Sequence, residues 1–141
     1  GATVESDLRV AHDADVVSDA IRSSLQDGAD LVVIYGASAI TDRRDIIPTA
    51  IEKSGGRIEH FGMPVDPGNL LLIGSLRGKT VIGAPGCARS PKENGFDWVL
   101  HRLMADLPVT RADVTSLGVG GLLMEIVQRG HPRDPSGDPV E

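Results

Sequence analysis

The run Leu31–Tyr35, LVVIY, is a stretch of five apolar or aromatic residues with no polar alternation. Such a run, rich in β-branched side chains, reads as a strand buried on both faces, the pattern of a parallel sheet. It stops at Gly36. The residues that follow, ASAITDRRD, are mostly small or charged before apolar positions return at Ile46 with helical spacing. This predicts a strand, a small-residue turn and a helix start. In open α/β sheets ligands bind at that junction, because backbone N–H groups and the helix N-terminus converge there on an anion.

A chain of 141 residues with 40% hydrophobic content can bury a core and suits one domain. Aromatics are only 3%, so that core is expected to be aliphatic. The net charge of -6 argues against nucleic acid or a membrane surface as partner, since either would ask for a basic face. The single cysteine, Cys87, leaves no internal disulfide and no cysteine zinc site, as in a reduced cytoplasmic protein. No apolar run approaches the roughly 20 residues of a membrane span, and the opening residues do not read as a signal peptide. A cytoplasmic domain is the expectation.

In chain order, residues 5–10 are a strand candidate with weak alternation. Asp13 is placed to cap a helix whose apolar face is Val16, Val17, Ala20, Ile21 and Leu25, ended by Gly28. After the loop at 36–45 comes a helix over 46–53, with Pro48 tolerated in its first turn and Gly55 and Gly56 stopping it. Residues 57–63 read as a strand, and Asp66, Pro67, Gly68 and Asn69 as a turn. Residues 70–76 and 80–84, separated by Arg77, Gly78 and Lys79, read as a hairpin, its first strand interior to the sheet. A second strand-to-helix loop at 85–92 leads into a helix over 95–105 with Phe96, Val99, Leu100, Leu103 and Met104 inward, and Thr110 caps a further short turn. Residues 118–121, GVGG, precede an apolar stretch at 122–127. The Pro-, Gly- and charge-rich residues 130–141 read as a linker or tail, leaving an α/β domain over 1–129. The order predicts a three-layer α/β/α sandwich, mostly parallel, with a β-hairpin.

These residues resemble the molybdopterin-binding domain family of molybdenum-cofactor biosynthesis. GASAITDRRD at 36–45 is similar to the family's Gly-Gly-x-Ser/Gly loop ending in an acidic residue. VDPGNLLLIG at 65–74 is similar to its Lys-Pro-Gly-Lys-Pro turn and strand, and APGCARSPK at 84–92 stands where the family has Leu-Pro-Gly-Asn-Pro. The opening GATVESDLRVAHD resembles its strand and acidic helix start. Together these cover most of residues 1–105. The resemblance implies that the family's first strand and helix lie ahead of this segment. It also points to a subgroup joined to a molybdenum-cofactor nucleotidyltransferase-like domain.

On that resemblance the ligand is molybdopterin, with Mg²⁺ and ATP or CTP as the companions of a catalytic member. Gly36, Ala37 and Ser38 would bring backbone amides to the pterin or phosphate, or form only a tight turn. Asp42 and Asp45 are the loop's carboxylates. Asp45 is assigned to Mg²⁺ and catalysis, and is equally placed to cap the helix, whereas Asp42 is more simply a solvated charge. Of Arg43 and Arg44, one at most is expected at a phosphate, and Arg44 is taken as that residue. Asp66, Pro67, Gly68 and Asn69 form a substrate loop or a plain turn, and Pro85, Gly86, Arg89, Ser90 and Lys92 form the second loop. There the two cations replace lysines that the family carries beside Pro-Gly. Cys87 reads as a packed residue rather than a nucleophile. His12 is read as solvated, and His60, His101 and His131 lack metal-ligand spacing.

Departures from the family pattern decide between readings. Asp66 and Asn69 stand in place of lysines, Ala37 replaces the loop's second Gly, and Cys87 replaces an Asn. Each lost cation beside a buried phosphate removes about 1.5–3 kcal/mol of charge-assisted bonding. The expected function is therefore a domain that holds molybdopterin or its nucleotide form. The alternatives are a catalytic molybdopterin adenylyltransferase or molybdotransferase, or a non-catalytic oligomerising scaffold with Trp98 in subunit contacts. A homo-oligomer is expected.

Overall fold

The computed structural model describes residues 2–118. The helix α1 (Ala14–Gln26) is capped by Asp13, whose side chain accepts from the N–H groups of Asp15 and Val16. It is followed by β1 (Leu31–Tyr35), α2 (Ile46–Lys53), β2 (Arg57–Phe61), β3 (Leu72–Leu76) and β4 (Lys79–Ala84). A 3₁₀ turn over Gly86–Arg89 leads to α3 (Gly95–Met104) and α4 (Arg111–Ser116). No described helix is long and apolar enough to cross a membrane. The apolar stretch at 122–127, the GVGG loop beyond Gly118 and the boundary at 129/130 lie outside the described residues.

The molecule is mixed α/β with one four-stranded sheet of order β1-β4-β3-β2. Only β1 and β4 pair in parallel; β4 with β3 and β3 with β2 are antiparallel. The expected mostly parallel sheet is thus corrected. The cause is the tight β3–β4 turn, in which Arg77 (φ 53) and Gly78 (φ 80) both take positive φ, the geometry of a two-residue hairpin. Strand β3 is thereby inserted against the direction shared by the other three.

Three local expectations also change. Residues 5–10 form no strand, and Val4, Leu8 and Val10 are exposed. Strand β1 lies at the sheet edge and is half-buried, not buried on both faces. Val16 and Met104 face solvent at 41% and 50% exposure, so the inward faces of α1 and α3 are narrower than their apolar spacing suggests. The interior position of β3 is as expected.

The core is aliphatic, Phe96 being the sole aromatic among its buried residues. Alternation along the strands divides it in two. Leu72, Leu76 and Val81 pack with Val17 and Ile21 of α1 and Ile47, Ala50 and Ile51 of α2. Ile73, Ile82 and Ala84 pack with Phe96 and Val99 of α3 and Val114 of α4. In β1, Val32 and Ile34 join the first cluster, Leu31 and Val33 the second, as the two-residue period of a strand requires.

Candidate functional site at the carboxyl ends of β1 and β4

Parallel pairing sets Tyr35 opposite Ala84, so the loops leaving β1 and β4 start side by side. They then part. The first loop drives Ile40, 1% exposed, into the cluster under α1 and α2. The second leads through Ala88 to the cluster under α3. Two adjacent parallel strands whose chains turn to opposite faces create a crevice at their carboxyl ends, the usual ligand position in an open α/β sheet.

The first loop is built around Ile40 and Asp45. A Cβ on Gly36 would lie 2.7 Å from Ile47 Cδ1, and one on Gly83 of β4 would lie 2.5 Å from Ile40 Cδ1. Both glycines therefore make room for the loop's own packing. Asp45 stands at the N-cap of α2, yet its side chain makes no bond to the helix. Oδ2 instead accepts from the backbone N–H groups of Thr41 (2.7 Å) and Asp42 (2.9 Å) and from the Thr41 hydroxyl. These bonds, led by those from Asp42 and Thr41 N–H, hold the Asp45 carboxyl below the usual carboxylate range. Oδ1 has no hydrogen-bond partner among the described residues.

Ala37 and Ser38 are exposed at the loop's tip, beside buried Gly36. Asp42 accepts from both the backbone N–H and Nε of Arg44, and that contact holds its carboxyl below the usual carboxylate range. The Arg44 side chain is 91% exposed. The two form an exposed surface pair, and the Arg44 side chain makes its polar contacts with Asp42. Asp42 fits its reading as a solvated charge.

Arg89 clasps the two loops. Its Nη2 donates to the Gly36 carbonyl at 2.8 Å, and its guanidinium carbon lies 5.7 Å from the centroid of the Tyr35 ring, within cation–π reach. Pro85 is buried, while Gly86, Ser90 and Lys92 are exposed, the Ser90 hydroxyl accepting from the Lys92 N–H. Of the second loop's basic side chains, Arg89 stands at the crevice, and Lys92 is exposed.

The third candidate segment reaches the second loop through α3. Gly95 N–H donates to the Pro67 carbonyl at 2.9 Å, which seats the turn on the α3 N-terminus. Asp66 and Pro67 are half-buried, Gly68 is buried, and Asn69, exposed, accepts from Met63 N–H through its carbonyl. Asp66 is also close enough to Cys87 to act on it. Burial pushes the Cys87 thiol up, and the Asp66 and Asp97 carboxylates push it further. A thiol so placed is disfavoured as a nucleophile, in keeping with its reading as a packed residue.

No family model, curated protein or solved structure matches the chain. The crevice is therefore read from its own geometry. No cluster of three or more His, Cys, Asp or Glu residues able to hold a metal occurs among the described residues, and Asp45 Oδ1 and Asp42 Oδ2 are the loop's carboxylate oxygens without a hydrogen-bond partner there. A cavity of about 370 Å³ lies elsewhere, bordered by Asp30, Leu31, Lys79 and Thr80 at the opposite end of β1 and β4.

Two residues central to this site were not singled out as site candidates. Ile40 is a lone apolar residue in a polar loop and carries no local signal of burial. Asn94, 1% exposed, organises the second loop. Its Oδ1 accepts from Phe96 N–H, its Nδ2 donates to the carbonyls of Cys87 and Lys92, and its N–H donates to Asp97. The spacing Asn94 to Asp97 is a capping-box signature by which it was findable.

Proposed function

We propose that the chain is a molybdopterin-binding domain that serves molybdenum-cofactor assembly by holding molybdopterin or its nucleotide form. The observation that carries this reading is the switch point between β1 and β4, where the two motif loops start side by side and Arg89 joins them at Gly36. The Pro67 turn, seated on the start of α3 behind the second loop, brings the third motif segment alongside. With it goes the finer fold: the two apolar clusters are the inner faces of the helical layers of an α/β/α sandwich of molybdopterin-binding type. The same reading includes a cytoplasmic setting, a second copy as partner and a nucleotidyltransferase-like domain in the longer polypeptide.

Binding is favoured over catalysis. Asp66 and Asn69 stand where catalytic members of that family carry lysines, and the exposed Arg44 is engaged with Asp42. Mg²⁺ prefers a carboxylate or two, with water and phosphate oxygens supplying the rest of its octahedron. Asp45 offers one such oxygen, enough to share an ion with a phosphate-bearing ligand. When bound, the ion would neutralise phosphate charge.

The test is titration of molybdopterin, and separately of its adenylated form, into the wild-type chain and Asp45→Ala, with and without Mg²⁺. The reading expects saturable binding by the wild type, strengthened by Mg²⁺ and weakened in Asp45→Ala. Absence of saturable binding by the wild type to either form overturns it.

A further inference from the structure

Tyr35 is the chain's only tyrosine, and it is placed at the mouth of the β1/β4 crevice, one residue before the first loop. Its ring is held from two sides. Phe96 meets it in a T-shaped contact with centroids 6.3 Å apart, and Arg89 reaches past it to the Gly36 carbonyl. The residue nevertheless stays 48% exposed. The guanidinium spends one N–H on Gly36, and its other donors have no partner among the described residues. A fixed aromatic surface therefore adjoins an anchored cation with unspent donors.

We propose that the exposed ring of Tyr35 is the stacking platform for the flat heteroaromatic ring of the ligand, and that Arg89 takes the phosphate which that ring carries. The proposal rests on the reading of the crevice as a molybdopterin site and names the part of the site that selects for a planar ring. Stacking suits a pterin and a nucleobase alike, because each presents a π-face. Arg supplies the fork geometry that phosphate oxygens accept. Rigidity from Phe96 and from the Gly36 bond spares the ligand the cost of ordering these side chains.

The experiment is equilibrium binding of molybdopterin, ADP, CDP and inorganic pyrophosphate to the wild type, Tyr35→Phe, Tyr35→Leu and Arg89→Ala. Tyr35→Leu is expected to weaken the ring-bearing ligands by about tenfold or more and to leave pyrophosphate unchanged, Tyr35→Phe to bind as the wild type does, and Arg89→Ala to weaken all of them. A loss in Tyr35→Leu confined to molybdopterin assigns the platform to a pterin, and one confined to ADP and CDP assigns it to a nucleobase. Should Tyr35→Leu lose its fold by circular dichroism, Tyr35→Trp carries the test, since the added indole is expected to be quenched by ring-bearing ligands and not by pyrophosphate. Equal affinity of folded Tyr35→Leu and wild type for molybdopterin, or no such quenching, overturns the platform and leaves the molybdopterin reading standing. Failure of the wild type to bind any ring-bearing ligand overturns both.

Discussion

Arg89 donates from Nη2 to the Gly36 carbonyl at 2.8 Å and so ties the loop that leaves β4 to the loop that leaves β1. Neither loop is joined to the other by sequence, and the strands beneath them fix only where they start. The bond is part-buried at the crevice, and its effect on stability is that of an ordinary hydrogen bond, about 0.5–1.5 kcal/mol. Under the proposed function its effect on a ligand is larger, because it sets the cation in place.

Arg89→Ala is accordingly expected to lower molybdopterin affinity by about tenfold or more while shifting the urea midpoint little. Arg89→Lys keeps the charge but not the planar fork, and is expected to recover only part of the loss. Calorimetric titration of both variants beside urea unfolding checks the split. Unchanged affinity in Arg89→Ala would remove Arg89 from the site.

Gly83 and Ile40 give a prediction about how the first loop is moored. A Cβ on Gly83 would meet Ile40 Cδ1 at 2.5 Å, Ile47 Cγ2 at 3.2 Å and Leu72 Cβ at 3.2 Å. Gly83→Ala is expected to destabilise by about 1–3 kcal/mol through overpacking. Ile40→Val, which removes the Cδ1 in question, costs about 0.5–1.5 kcal/mol alone. The double variant should lose less than the sum of the singles, a coupling that a double-mutant cycle on unfolding free energies measures directly. Simple additivity would mean that Ile40 does not fill the space over Gly83.

Asn94 is the corresponding mooring of the second loop. Asn94→Ala removes the cap from α3 and leaves the carbonyls of Cys87 and Lys92 without their donor. A loss of about 2–3 kcal/mol is expected from the cap and the orphaned groups together. Asn94→Asp keeps an acceptor for Phe96 N–H and forfeits only the two donated bonds, so it should fall between the alanine variant and the wild type. Chemical denaturation of the three proteins at neutral pH orders them.

Local pattern accounts for much of this fold. LVVIY reads as a strand, Asp13 as a cap, and Arg77 and Gly78 as the heart of a hairpin, because each signal is complete within a few residues. The edge position of β1 is not local: it follows from β4 pairing on one side, and a run of five apolar residues looks the same at an edge as in a centre. Ile40 shows the same gap. Its burial depends on the absence of a side chain at Gly83, far along the chain. Weak alternation at residues 5–10 reads as a strand, yet no described strand pairs with it. For the site, the three loops are candidates by resemblance alone, whereas the clasp between Arg89 and Gly36, 53 residues apart, is a product of tertiary geometry.

Asp45 ties loop geometry to pH. N–H bonds from Asp42 and Thr41 hold its carboxyl below the usual range in the folded protein, whereas in the unfolded chain an aspartate titrates near 3.9. The folded state therefore binds this proton less readily than the unfolded state. Its contribution to stability is complete above about pH 5 and is lost as pH falls past the unfolded value and through the folded one. Asp45→Asn keeps the shape and an acceptor but has no proton to gain. It is expected to melt below the wild type at pH 7, with the gap closing as pH is lowered toward 3. Melting temperatures of the two proteins across that range check the sign. A gap that stays constant with pH would show that the charge on Asp45 does not hold the 41–45 loop closed.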